Sequence, residues 1–384
     1  MRFEFATAGR IVFGEGTAHE LWRYAAGLGS RALLVTGSSG ERAAPFAAKL
    51  ESAGIALARF AVDGEPTLGK IRDGVRMASD WKADLIVGFG GGSAIDAGKA
   101  IAALAANGGD VLDYLEVIGA GKLLERPSLR SIAVPTTAGT GAEVTRNAVL
   151  ASSEDHVKAS LRGPFMLPDL ALIDPELTYD LPAAITASTG LDALTQVIEP
   201  YVSVKANPMT DLVCLEGIRL VSGALPRACH DGLDRDARRD MALASLFGGL
   251  ALANASLGAV HGFAAAIGGA FPAPHGAICA ALLPHVMAVN IRAIRARIGE
   301  GDLLARYRTI ARIVTGAADA APEDGAARVA ELVSSLNIRP LRSYYIRDTD
   351  VPELVQKAAR ASSMKGNPVP LTQPELAEIL SRAL

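Results

Sequence analysis

The chain reads as a two-part protein: an α/β domain over residues 1–181, then an all-α domain over residues 182–384. Three features predict this. Short, uninterrupted apolar runs alternate with helical patterns through the first half. Strand signals then stop near Pro182, and Ala- and Leu-rich helical stretches fill the remainder. Finally, two of the apolar runs end in glycine-rich polar turns, where an α/β domain carries its ligands.

Taken in order, Phe3 and Phe5, then Ile11 and Phe13, alternate around Gly9 and predict an N-terminal hairpin. "RALLVTG" (31–37), "ADLIVGFGGG" (83–92), "RSIAVPTT" (130–137) and "LALIDP" (170–175) are short, have apolar centres and end in turn residues. Runs of that length fit parallel strands buried on both faces. Between the first two lies "ERAAPFAAKLESAG" (41–54), a helical pattern with a glycine stop. Beyond Pro182, helices are expected over 210–225, 234–255, 302–315, 323–336 and 371–383. No Gly/Ser- or Pro-rich linker separates the halves.

Half of the 384 residues are apolar, 21% are charged, and the formal net charge is −3 without a long run of one sign. That balance offers no electrostatic case for nucleic acid or an anionic membrane surface as a partner. Cys214, Cys229 and Cys279 are odd in number and well separated, which argues against a disulfide framework and for a reducing compartment. "MRFEFATAGRIVFG" lacks the apolar core of a signal peptide, and no run of about 18 uninterrupted apolar residues suggests a span. A cytoplasmic globular protein with no membrane or nucleic-acid partner is expected.

In "GFGGGSAIDAGKAIA" (88–102), Gly91, Gly92 and Ser93 lie between a buried strand and an Ala-rich helix. Glycine lets the backbone approach a diphosphate, and the helix N-terminus supplies free N–H groups and a positive dipole end. Neither the dinucleotide fingerprint nor the P-loop pattern fits. Asp96 and Lys99 follow within the helix, where a solvated pair is an equal reading. A second turn, "PTTAGTGAEVT" (135–145), brings the hydroxyls of Thr136, Thr137 and Thr140 to the end of the next strand. Two such turns together favour a nucleotide-type ligand. Further on, "GLDALTQVIEPY" (190–201) sets Asp192 and Gln196 on one helical face, and His261 and His275 flank "GFAAAIGGAFPAP". Either histidine alone reads equally as structural.

"GGGSAIDAGKAIA", "AVPTTAGTGAEVT", "DPELTYDLPAAITASTGLDALT" and "VHGFAAAIGGAFPAPHGAICAALLPHV" occur in that order. Together they resemble the iron-containing (group III) alcohol dehydrogenases of the dehydroquinate synthase-like superfamily, over a stretch reaching at least residue 290. The resemblance implies a Rossmann-like nucleotide-binding domain followed by a helical metal-binding domain. It implies an NAD(P)-dependent, metal-dependent enzyme that transfers a hydride at an alcohol or at an aldehyde or ketone. A small-molecule alcohol or carbonyl compound would be its substrate. Gly91, Gly92, Ser93 and Asp96 match the family's pyrophosphate loop, and Thr136, Thr137 and Thr140 its nicotinamide-side loop. Lys158 matches a cofactor-contacting lysine, though on residues alone it reads as an exposed loop lysine.

NAD-preferring members commonly carry an acidic residue after the first interior strand. Here Gly37 stands there, followed by Ser38, Ser39 and Arg42. Hydroxyls and a guanidinium without that carboxylate favour the 2′-phosphate of NADP over NAD, with Glu41 nearby tempering the preference. Asp192, His261 and His275 match three ligands of the family's divalent metal, Fe(II) or Zn(II). The fourth, a histidine in iron-dependent members, is Gln196, whose carbonyl oxygen is a weaker donor than imidazole for either metal. Either Asp192, His261 and His275 form a three-residue site, with Gln196 at most a weak fourth ligand and one position left for water or substrate, or the metal is weak or absent and Gln196 donates a hydrogen bond to the substrate.

A histidine common four positions after the first is Ala265 here, so a proton relay through it is absent. His285 matches a frequent family position and reads as structural, while His19, His156 and His230 read as surface residues. No residue is assigned as catalytic. Alternatives are a maleylacetate reductase-like enzyme working without bound metal, a dehydroquinate synthase-like lyase, and a non-catalytic nucleotide binder. Relatives commonly pair through N-terminal strands, so a homodimer is expected.

Overall fold

A computed structural model describes residues 2–384. The chain divides into two compact units: Ala6–Thr137 with Gly141–Tyr179, and Asp180–Leu384 joined by Ala138–Thr140 and the N-terminal residues through Phe5. Two short segments of the expected α/β half therefore belong with the helices. The internal one is held there by packing and a hydrogen bond: Ala138 joins the helical core, Gly139 lies against Thr189, and the Gly139 carbonyl accepts from the buried Gln196 amide at 2.7 Å.

The α/β unit holds β1 (Ile11–Phe13), β2 (Arg31–Thr36), β3 (Ala56–Ala61), β4 (Leu85–Gly90), β5 (Arg130–Pro135), β6 (Asn147–Ser152), β7 (Val157–Arg162) and β8 (Leu170–Ile173). Its helices are α1 (Leu21–Ala26), α2 (Ala44–Ser52), α3 (Leu68–Asp80), α4 (Gly92–Asn107) and α5 (Val111–Tyr114). Six strands form a parallel sheet in the order β1-β8-β5-β4-β2-β3, and β6 and β7 form a separate antiparallel pair. Burial on both faces explains the uninterrupted apolar runs. Leu33, Val35 and Ile86 face the layer of α3 and α4, while Ala32, Leu34, Leu85 and Val87 face that of α1 and α2.

The N-terminal hairpin does not form. β1 pairs in parallel with β8, and residues 2–10 contain no strand. The alternation at Phe3 and Phe5 was a local pattern, whereas the partner of Ile11–Phe13 lies far along the chain, where local periodicity carries no information.

Chain order reverses about β2, with β3 on one side and β4 on the other, so the loops after β2 and β4 flank a topological switch point. Helix α4 packs closely on β4. A Cβ at Gly88 would lie 3.3 Å from Cα of Ile95, and one at Gly98 would lie 3.4 Å from Cα of Gly88.

The second unit is helical: α6 (Ala183–Val202), α7 (Pro208–His230), α8 (Arg235–Ala255), α9 (Ala259–Ala270), α10 (His275–Arg297), α11 (Asp302–Thr315), α12 (Pro322–Ser335), α13 (Val351–Arg360) and α14 (Gln373–Ala383). Its core runs from Leu191 and Val197 in α6 through Phe263 in α9 to Leu282 and Leu283 in α10. By length and apolarity α10 could cross a membrane, but 83% of its most apolar window is buried inside the protein. Its hydropathy is that of a core helix.

Candidate metal centre and cofactor loops

Helix α6 carries Asp192, Gln196 and Glu199 at positions i, i+4 and i+7, so all three share one face. None is more than 4% exposed on a helix otherwise buried through apolar residues. Facing them are His261, in the first turn of α9, and His275, the first residue of α10. Cys279 follows one turn into α10. His275 can stand close to α6 because Gly276 follows it: a Cβ there would lie 2.3 Å from the Ser188 carbonyl oxygen.

Asp192 Oδ1 lies 3.5 Å from His261 Nε2 and 3.6 Å from His275 Nε2. Cys279 Sγ lies 3.9 Å from the first imidazole nitrogen and 3.7 Å from the second. One donor atom from each of the four residues falls within 4.8 Å of the others. Asp192 Oδ1 is buried and accepts no hydrogen bond. A buried carboxylate oxygen with no hydrogen bond is costly, and a cation among these donors would satisfy it more fully than the two imidazoles do. The donor set of one carboxylate, two imidazoles and one thiol therefore fits a divalent metal.

Glu199 fixes the histidine. His261 Nδ1 donates to Glu199 Oε2 at 2.7 Å, and Val260 N donates to Oε1 at 2.7 Å. With a proton held on Nδ1, Nε2 is the ring nitrogen turned toward Asp192 and Cys279, and it would give its lone pair to a cation bound between them. Burial alone would lower the His261 pKa, but the neighbouring Cys279 sulfur, and then the Asp192 and Glu199 carboxylates, raise it. Burial likewise works against ionised Asp192, and the His275 and His261 imidazoles outweigh it, leaving the carboxyl below its ordinary range. Burial pushes the Cys279 thiol up to about 12, with His261 opposing.

Gln196 departs from the ligand expectation. Its Nε2 donates to the Gly139 carbonyl and lies 3.4 Å from Asp192 Oδ2. Both neighbours are acceptors, so the amide nitrogen must face them, and the side chain steadies the carboxylate as a donor. Sequence reasoning missed Glu199 and Cys279. Their signals were a third polar residue in register on α6 and a thiol four residues after His275.

Within the α/β unit, Gly37, Ser38 and Ser39 form an exposed loop after β2. The loop after β4 lies beside it, since a Cβ at Gly90 would sit 3.4 Å from Gly37 N. Gly91 caps α4 without a side-chain bond, and Gly92 and Ser93 open the helix, where backbone N–H groups lack intrahelical acceptors. Thr136 N donates to the Gly90 carbonyl, and a Cβ at Gly91 would meet Thr137 at 3.5 Å. These loops converge at the carboxyl ends of neighbouring interior strands. Thr140 instead belongs with the helical unit.

Asp96 and Lys99 are paired but not solvated. Lys99 Nζ lies 3.0 Å from Asp96 Oδ1, its side chain is 2% exposed, and Asp96 Oδ2 accepts from Val149 N. The pair ties α4 to β6. Lys158 is likewise no exposed loop residue: it is buried in β7 and donates to Glu65 Oε1 at 2.7 Å.

Comparison with known proteins matches residues 8–175 to the family described as iron-containing alcohol dehydrogenase and residues 186–384 to the C-terminal part of the Fe-containing alcohol dehydrogenase family. The chain belongs to the iron-containing alcohol dehydrogenase family. Among relatives, alcohol dehydrogenase 4 of Saccharomyces cerevisiae (strain YJM789) is 34% identical over 377 residues, covering 97% of this chain and 96% of its own. The NAD-dependent methanol dehydrogenase of Bacillus methanolicus is 32% identical over 382 residues, covering 97% of each. A solved 1,3-propanediol oxidoreductase aligns over all of both chains with a TM-score of 0.91 and 33% identity. The parallel-sheet unit and the helical unit are thus those of an iron-containing alcohol dehydrogenase, an oxidoreductase acting on alcohols and aldehydes.

Proposed function

We propose that this alcohol dehydrogenase exchanges a hydride between nicotinamide C4 and a carbonyl carbon, using a divalent metal held by Asp192, His261 and His275. In the oxidative direction the alcohol C–H leaves as hydride to the cofactor, and the hydroxyl proton passes to solvent. When bound, the metal supplies Lewis-acid polarisation of the substrate oxygen. The chain's own residues orient the site: Glu199 holds a proton on His261 Nδ1, and Gln196 donates toward Asp192 Oδ2. The observation that carries this reading is Asp192 Oδ1, buried without a hydrogen bond beside two imidazole nitrogens.

Cofactor binding is assigned to Gly91, Gly92 and Ser93 at the start of α4, to Gly37, Ser38 and Ser39, and to Thr136, Thr137 and Thr140. Asp96 and Lys158 support their loops through Lys99 and Glu65. NADP is favoured over NAD because the loop after β2 offers two serines and no acid at position 37 that would exclude the 2′-phosphate, while the nearby Arg42 guanidinium donates to the Leu177 carbonyl. Either Fe(II) or Zn(II) suits the imidazole and carboxylate donors. Exposed Phe3, in a stretch without strand pairing, supports a homodimer formed through the N-terminal residues. Three free cysteines support a reducing cytoplasm.

An alcohol and aldehyde panel with NADH and NADPH, with and without added zinc or iron(II), tests the proposal. Metal-dependent turnover that vanishes in Asp192→Ala is expected. Turnover undiminished by chelation, or metal content unchanged in Asp192→Ala, would overturn it.

A further inference from the structure

We infer that Cys279 is the fourth metal ligand of this chain, replacing the imidazole that position 196 lacks and steering the site toward a thiophilic ion such as Zn(II). The inference rests on the metal centre proposed above and adds a donor to it.

The argument is geometric. A tetrahedral centre with bonds of about 2.0–2.3 Å has donor-to-donor edges of roughly 3.3–3.8 Å. Four edges measured here are 3.5, 3.6, 3.7 and 3.9 Å: Asp192 Oδ1 to each imidazole Nε2, and Cys279 Sγ to each. These are four of the six edges of such a figure, each close to the expected length, and all four donor atoms fall within 4.8 Å of one another. The Gln196 amide nitrogen is engaged with the Gly139 carbonyl and Asp192 Oδ2, and its neutral carbonyl oxygen is a weaker donor than a thiolate for zinc. Asp192 Oδ1, one of these four donors, is buried without a hydrogen bond, as a carboxylate oxygen kept for a cation would be.

Backbone geometry supports the assignment. Cys279 lies one helical turn after His275, so both project from one face of α10 and move as a unit. Cys214 and Cys229 lie on α7 and take no part in the cluster. On binding, the thiol releases its proton to solvent as the metal–sulfur bond forms, because only the thiolate ligates. Thiolate favours zinc over the harder oxygen-preferring ions.

The decisive measurement is X-ray absorption on the zinc-loaded wild-type chain. One sulfur scatterer at about 2.3 Å, with the remaining shell of nitrogen and oxygen at about 2.0–2.1 Å, is expected. Cobalt(II) replacement adds a second readout. The wild type should show a near-ultraviolet sulfur-to-cobalt charge-transfer band that disappears in Cys279→Ser while cobalt stays bound. A shell of nitrogen and oxygen alone, or a band that persists in Cys279→Ser, would overturn the inference while leaving the metal centre intact. Failure of the wild type to retain zinc or cobalt would overturn the metal centre itself.

Discussion

Replacing Glu199 by Gln tests how the metal site is organised, because Glu199 uses both carboxylate oxygens as acceptors. Oε1 serves Val260 N and Oε2 serves His261 Nδ1, each at 2.7 Å. Glutamine offers one oxygen and one NH2 group. Either Val260 N–H then faces a donor, or the His261 proton moves to Nε2 and covers the lone pair aimed at Asp192. Both outcomes weaken metal binding. A charged hydrogen bond of this kind contributes about 1.5–3 kcal/mol. Loss of a partner behind a metal-binding histidine costs about 10–100-fold in affinity, which is roughly 1.4–2.7 kcal/mol. The two magnitudes agree. Zinc affinity by competition with a chelator, in wild type and Glu199→Gln, should fall by that factor. Affinity within about twofold of wild type would refute the role given to Glu199.

Other substitutions probe the remaining parts. Burial pushes the Glu143 carboxyl up to about 7 from an ordinary 4.5. Because the folded pKa is the higher one, stability falls as pH rises from 4.5 to 7, by up to about 3 kcal/mol, and the penalty persists above 7. Glu143→Gln should therefore raise the urea midpoint at pH 8 and leave it unchanged near pH 4. At Gly276, helix propensity alone would favour alanine, yet the added Cβ would lie 2.3 Å from the Ser188 oxygen. Gly276→Ala should cost about 1–3 kcal/mol in thermal unfolding and reduce bound zinc. Nothing lies within 4 Å of a Cβ at Gly37, so Gly37→Asp fits sterically. It should weaken NADPH relative to NADH by roughly tenfold, about 1.4 kcal/mol, read by fluorescence titration.

Local patterns revealed those parts of the fold that local chemistry determines. β2, β4, β5 and β8 stood out because burial on both faces keeps their centres apolar. β3 and the β6–β7 pair did not: "ALARFA" and "VKASLR" alternate only weakly and gain their order from neighbouring strands. At the metal centre, Asp192, His261 and His275 could be named because each is a strong ligand type in a recognisable motif. Glu199 acts only through another side chain, and Cys279 resembles any buried thiol until α6, α9 and α10 are brought together. Lys99 was read as a possible surface cation because its acceptors, the Ala142 carbonyl and Thr145 hydroxyl, lie on a different loop.

The parallel pairing of β1 with β8 bears on biosynthesis. Gly16 N and Ala18 N, just after β1, donate to the Asp174 carboxylate just after β8; the first of these bonds spans 158 residues. At about 5–20 residues per second, a ribosome takes roughly 8–30 s to supply that partner. The first strand therefore waits unpaired while the centre of the sheet assembles, and the nascent chain is exposed to mispairing until Asp174 has left the exit tunnel.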